Sequence, residues 1–326
     1  MGRAQRSQCG FLFSKVRGTL IALVNNWIYN LFDGMMNSIA SAFRARYLDT
    51  HEKYLDSIAT LLAYCNNHTS LVTGQFMLRH VTTVKTTCSQ MRALNSFDEA
   101  RALRNLRNSW YHECALHYPQ DLDDRLKFAP WKIIQFFYAI YSALSAIVRC
   151  FDNRPILRQQ IALDQFTTQV IINPATRIIP VPLCFYRHGG AINPSPYLVI
   201  SWPYGLSYHV PNIERCLQST LPPSTNPVSL FHYFKSLREW ANYEDSYIFT
   251  SLYGPSVISM LDHSLRTVVS GFLPVVEVFL ISFYGWDKVN NQSQQFSQRI
   301  VRNLKIVPTS LISRFDEYTK CPDLVS

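Results

Sequence analysis

A mainly α-helical fold carrying a small β-containing insertion, α+β overall, is what this sequence predicts, and three observations carry that expectation. Long stretches without proline space their apolar residues three and four apart, as in Leu55, Ile58, Leu61, Leu62 and Cys65. The run PWKIIQFFYAIYSALSAIVRCF, residues 130–151, is apolar nearly all round, as befits a helix at the centre of a bundle. From about Phe166 to Tyr208 the helical spacing gives way to short β-branched runs (QVIIN, RIIPVPLCFY, PYLVISW) separated by Asn-Pro, Gly-Gly and Pro-Ser turns.

Taken in order, the chain from Gly18 to about Leu94 reads as helical, cut by the turn signals Asn66-Asn67 and Asn95-Ser96. Ser96 is a good N-cap, with Glu99 placed to close a capping box, so a helix is expected over Phe97–His117, stopped by Pro119. Pro130 opens the second strong helix, to Phe151. At least two paired strands packed on the helical body are expected within residues 166–208. After the connector LPPSTNP the pattern is helical again from Ser229 to about Trp286, with a break at Gly254-Pro255. The expected organisation is an N-terminal helical region, 1–95, a bundle built from 96–160 and 225–326, and a β-rich insertion, 161–224. Trp110, Phe137, Tyr141 and Trp240 are its expected core.

Composition narrows the function classes. With 326 residues, 48% hydrophobic and 13% aromatic, the chain buries a sizeable core. A net charge of +9 on only 16% charged residues suits a polyanionic partner, of which RNA is the commonest, although a basic protein without a nucleic-acid role fits as well. The eight cysteines are scattered without a CxxC pair, which argues against zinc ribbons and disulfide frameworks and makes a reducing cytosol the default. Cys65 with His68 would supply half a zinc site at most. Arg3, Arg6, Lys15 and Arg17 flank short apolar runs, but Asn25 and Asn26 interrupt them and no small-residue cleavage site follows, so no signal peptide is expected. The run from Gly271 to Trp286 carries Glu277 in its middle and falls short of the roughly 20 residues that cross a bilayer, so no transmembrane segment is expected. Residues 11–32 leave an amphipathic membrane-surface role as a minor alternative. Hydrolase, zinc-protease, ATPase and kinase motifs are missing.

The stretch LRNLRNSWYHECA, residues 103–115, carries the chemistry. Leu103, Leu106, Trp110, Cys114 and His117 share one arc of a helical wheel, the expected core face. Arg104, Asn108 and His112 recur every four residues as a polar stripe, with Arg107 between stripe and core. A histidine titrating near neutrality can exchange a proton with a ribose 2′-hydroxyl or a leaving 5′-oxygen, while an arginine holds the phosphate. Such a pair cleaves RNA without metal or cofactor, leaving a 2′,3′-cyclic phosphate and a 5′-hydroxyl. A straight helix separates Arg107 and His112 by about 140°, so they converge only through a bend, arginine's reach or a partner chain.

Arg107-Asn108-Ser109-Trp110-Tyr111-His112 resembles the R-x4-6-H signature of the HEPN superfamily, and FYAIYSALSAIV resembles the Tyr/Ala-rich core helix of HEPN bundles. The resemblance implies a small helical bundle, often dimeric. It also implies a metal-independent endoribonuclease, a defence or toxin-like effector, with a cleft shared by two protomers that each contribute Arg107, Asn108 and His112. In most catalytic members the motif follows the Tyr/Ala-rich helix, whereas here it precedes it. A later segment, FHYFKSLREWANYEDSYIF at 231–249, is also HEPN-like but has no histidine after Arg238 at the required distance. Arg238, Asn242 and Asp245 share a face there, as a degenerate substrate-binding site alongside Arg104 or as an ion-pair network. Arg187-His188-Gly189-Gly190 reads as a solvated basic turn. The second functional class is a catalytically silent module that binds RNA or a protein partner. What separates the two is whether Arg107 and His112 line one basic cleft.

Overall fold

The computed structural model describes residues 77–94, 97–118, 129–153, 158–173, 186–188, 191–193, 228–239, 241–242, 255–305 and 307–326. Trp240, Asp245, Ser96, Cys65, His68 and the 11–32 segment lie outside them. The described residues are mainly α-helical: α1 Val81–Leu94, α2 Glu99–His117, α3 Ala129–Val148, α4 Gln159–Phe166, α5 Leu230–Glu239, α6 Pro255–Tyr284, α7 Trp286–Leu304, α8 Thr309–Thr319 and the single turn α9 Pro322–Val325.

Helix α2 begins where a short acidic side chain can serve its free amides. Asp98 is the N-cap and accepts from the Arg101 N–H at 3.0 Å, so the cap lies two residues after the expected Ser96. The Asp98 N–H donates to the Arg149 carbonyl at 3.1 Å, which ties the start of α2 to the end of α3 and makes the two an antiparallel pair. Helix α3 is the centre of the body. Ile133, Phe136, Phe137, Ile140, Leu144 and Ile147 are buried, and α2, α4, α5 and α6 all pack on it. Trp110 and Phe137 are buried as expected, whereas Tyr141 is half-buried.

Helix α6 is the second spine, packing on α3 as well as on α1, α2 and α7. It starts at the expected break and spans 30 residues, but its apolar stretch, 23 residues from Asp262 to Tyr284, is longer than the run expected from Gly271 to Trp286. Two stretches, Pro130–Val148 and Asp262–Tyr284, are long and apolar enough to cross a membrane by composition, at mean hydropathies of 1.4 and 1.8. Their apolar surface is used inside the protein, where most of each stretch is buried. Edge-to-face and tilted ring contacts among Phe136, Phe234, Phe231, Phe166 and Phe272 join α3, α5, α4 and α6. Gly285, at φ +96, then turns the chain from α6 into α7; nothing would meet an added Cβ, so the backbone angle alone asks for glycine.

Residues 161–224 follow expectation in part: two short paired strands lie at 186–193, whereas the segment before them is helical. QVII, read as strand, continues α4 as a π-helix over Thr167–Ile172, with Ala162, Leu163, Phe166, Val170 and Ile171 buried at helical spacing. Burial on one face has overridden β-branched propensity. Arg187 and His188 belong not to a loop but to β1, Tyr186–His188, which pairs antiparallel with β2, Ala191–Asn193, and with β3, Val228–Ser229.

Helix α8 docks on α2 and α6 through a buried cation. Arg314 on α8 sends Nη1 and Nη2 to the two oxygens of Glu113 at 2.6 and 2.9 Å, and Nε and Nη2 to Glu277 at 2.9 and 2.8 Å. Glu277 also accepts from Trp110 Nε1 at 2.8 Å and Tyr318 Oη at 2.6 Å. Burial opposes the arginine's charge, but Glu113 and Glu277 outweigh it and hold the guanidinium protonated. Arg314→Leu strands two carboxylates in the core and should cost about 3–5 kcal/mol in urea unfolding, whereas Lys288→Ala, breaking an exposed pair with Glu99, should cost less than about 1 kcal/mol. Equal losses would show that Arg314 is not a core tie.

Candidate functional site

Two faces of α2 meet two different surroundings. On the first, Arg107, Asn108 and Tyr111 join Gln295, Phe296 and Arg299 of α7 around a groove of about 280 Å³. Contacts run in the same order along both helices: Lys288 pairs with Glu99 at 2.7 Å, and Phe296 meets Tyr111 and Trp110 at centroid distances of 4.8 and 5.5 Å. The two helices therefore run side by side in the same direction. Arg104 is exposed one turn before Asn108. None of the described residues lining the groove is acidic.

On the other face, His112 turns inward. Its Nδ1–H donates to Gln135 Oε1 at 2.7 Å, and its ring stacks on Tyr138 with centroids 5.4 Å apart. Burial lowers its pKa, and the Gln135 bond only partly offsets that. The ring is neutral at neutral pH, with Nε2 unprotonated. His112 thus does not belong to an exposed stripe with Arg104 and Asn108, and within one chain it does not share the Arg107 groove. The separation of about 140° between positions five apart is kept, because α2 continues without interruption across both.

Arg238 ends on the same aromatic ring as His112. Its guanidinium lies over Phe137 and Tyr138 at 5.2 and 5.9 Å, and Nη2 donates to Gln159 Oε1 at 2.6 Å. Its side chain is only 7% exposed, so it is a packed cation of the core edge and not an open substrate contact. Asn242 is exposed, and Asp245 lies outside the described residues.

A third arrangement, absent from the sequence reading, brings Asp164, His232 and Ser229 together. His232 Nε2 lies 2.9 Å from Asp164 Oδ1, and Nδ1 lies 3.2 Å from Ser229 Oγ. Nδ1 also accepts the Ser229 backbone N–H at 3.0 Å, so its lone pair is engaged and the ring proton sits on Nε2, toward Asp164. Ser229 is fully buried and its hydroxyl accepts from Thr167 Oγ1 at 2.8 Å. The Ser229 N–H to His232 Nδ1 bond is one half of a capping box on the first turn of α5, with histidine in the third position, so Nδ1 is engaged at the helix start and is not a free base for Ser229.

The groove's second wall was legible in part. Val289, Ser293, Phe296 and Ile300, spaced four, three and four apart, form the buried stripe of α7, a helical signal in the sequence itself. That Gln295 and Arg299 would face Arg107 follows only from docking. Comparison with known proteins finds no matching family model, no matching curated protein and no matching solved structure.

Two outcomes follow. His112→Ala removes the Tyr138 stack and leaves the buried Gln135 amide short of a partner, so it should destabilise by about 1–3 kcal/mol, more than a place on the expected polar stripe would imply; an unchanged urea midpoint would refute this. Burial is also the largest influence on His117 and His232, and lowers both below the ordinary 6.5, as for His112. Between the folded and unfolded pKa values the unfolded chain binds more protons, so stability is full above about 6.5 and falls as pH drops below it. Urea midpoints at about pH 7.5 and about pH 5.5 should differ in that sense, and a flat profile would count against it.

Proposed function

We propose that this chain is a HEPN-like helical module that binds RNA, using the arginine end of its R-x4-H segment for phosphate and not for cleavage. In this reading the strands at 186–193 belong to a small β-containing insertion into that bundle, expected over 161–224, of which 161–172 are instead helical, with α4 packed on α3. The observation that carries it is the groove in which Arg107 and Asn108 of α2 meet Arg299 of α7 without an acidic neighbour, while His112 is committed to Gln135 and Tyr138. Arginines beside aromatic and amide side chains suit a sugar-phosphate chain with accessible bases. The net charge of +9 supplies the long-range attraction. A reducing, cytoplasmic setting fits the free thiols of Cys88, Cys114, Cys150 and Cys321.

A second reading, metal-independent endoribonuclease, draws on the neutral state of His112, which leaves Nε2 able to accept a proton from a 2′-hydroxyl. It needs a homodimer in which one protomer's histidine meets the partner's arginine, and a defence or toxin-like role would follow from it. Incubating the protein with a mixed RNA pool in EDTA separates the two. The binding reading expects intact RNA, and cleavage lost in His112→Ala would replace it with the nuclease.

The direct test is fluorescence anisotropy against a short RNA across a salt series. Wild type should bind more weakly as salt rises, and Arg107→Ala or Arg299→Ala should each weaken binding and reduce the slope of log affinity against log salt by about 0.7. Affinity and slope unchanged in both variants would sink the groove as the RNA site.

A further inference from the structure

We infer that the groove between α2 and α7 takes one unpaired nucleotide of a single-stranded RNA, its base laid on Tyr111 and its flanking phosphates held by Arg107 and Arg299; this rests on the RNA-binding reading above. Tyr111 is a large aromatic left 37% exposed at the groove, and its ring stands at 83° to Phe296 with centroids 4.8 Å apart. A perpendicular contact covers at most one face of the Tyr111 ring. The 37% of Tyr111 that is exposed is the surface on which a base would lie, and Phe296, only 2% exposed, is the buried side of the contact. Arg107 precedes Tyr111 by one turn on α2, and Arg299 follows Gln295 by one turn on α7, so the two guanidinium groups come from opposite walls.

The remaining lining groups suit a base edge. Asn108 and Gln295 each carry an amide that both donates and accepts, which matches the mixed donor and acceptor edge of a nucleobase. A space of about 280 Å³ accommodates one heterocycle and not a stacked pair of strands. In a duplex the base faces are covered by their neighbours, so Tyr111 would find nothing to stack on. Selectivity for single strands is therefore built into the ring geometry, whereas the arginines alone would hold either form.

The experiment is anisotropy of the full chain with a labelled single-stranded RNA of about ten nucleotides, and with the same strand annealed to its complement. The single strand should bind roughly tenfold or more tightly than the duplex. Tyr111→Leu should lose roughly tenfold for the single strand only, and Tyr111→Trp should retain it. Should the leucine variant fail to fold, the tryptophan variant and photocross-linking of a thiouridine-bearing RNA decide, with the cross-link expected on the peptide containing Tyr111. Equal affinity for both strands, or an unchanged Tyr111→Leu while Arg107→Ala and Arg299→Ala still weaken binding, would overturn the nucleotide pocket and leave the RNA-binding reading standing. If neither RNA binds wild type, that reading fails, and this inference with it.

Discussion

Arg314 placed between Glu113 and Glu277 is the constraint on which the described body turns. Glu277 sits fully buried in the second spine helix, a position no isolated carboxylate would tolerate, and it is saturated by Arg314, Trp110 and Tyr318. One guanidinium thereby links three helices that lie far apart in sequence: α2 through Glu113, α6 through Glu277 and α8 by its own backbone. Whether such a cluster adds net stability over an apolar core depends on how well each lone pair is met. Here it specifies register, because the planar fork satisfies both carboxylates in one placement of α8. The Lys132–Asp262–Arg266 cluster joins α3 to α6 by the same logic, with Lys132 Nζ 2.5 Å from Asp262.

Much of the helical layout was legible because it is written in spacing. Helices α2, α3 and α6 show continuous apolar arcs, and a local reading finds them. Boundaries were less legible: Asp98 and Ser96 are both competent caps, and the choice between them is made by the Arg149 carbonyl, which lies at the far end of the next helix. The QVII segment misled because branched residues favour strands only on average, and here Val170 and Ile171 complete a buried face begun by Phe166.

The candidate site was half legible. Arg107, Asn108 and His112 were picked out as one unit from a motif of fixed spacing, and the fold divides that unit between two environments. A helical wheel tells which residues point together but not what they meet: α3 receives His112 through Gln135 and Tyr138, and α7 stands across from Arg107. Arg238 shows the converse. A surface arginine in the pattern proves to be held against two ring faces, and no short-range signal in the sequence announces that partnership.

The groove is assembled from residues nearly two hundred positions apart, and this makes it a property of the finished fold. Arg107, Asn108 and Tyr111 lie on a helix paired with its neighbour in sequence, but Gln295, Phe296 and Arg299 reach them only after α6 is in place and α7 has settled alongside. Any molecule that occupies the groove binds the docked arrangement and not the undocked one, so occupancy and docking of the C-terminal helices share a single thermodynamic cycle. The seating of Phe296 on Trp110 and Tyr111, which holds α7 against α2, belongs to that cycle. Loosening it taxes affinity by the fraction of molecules in which α7 has come away, and filling the groove shields the same helices from local opening and from proteases that act on opened segments.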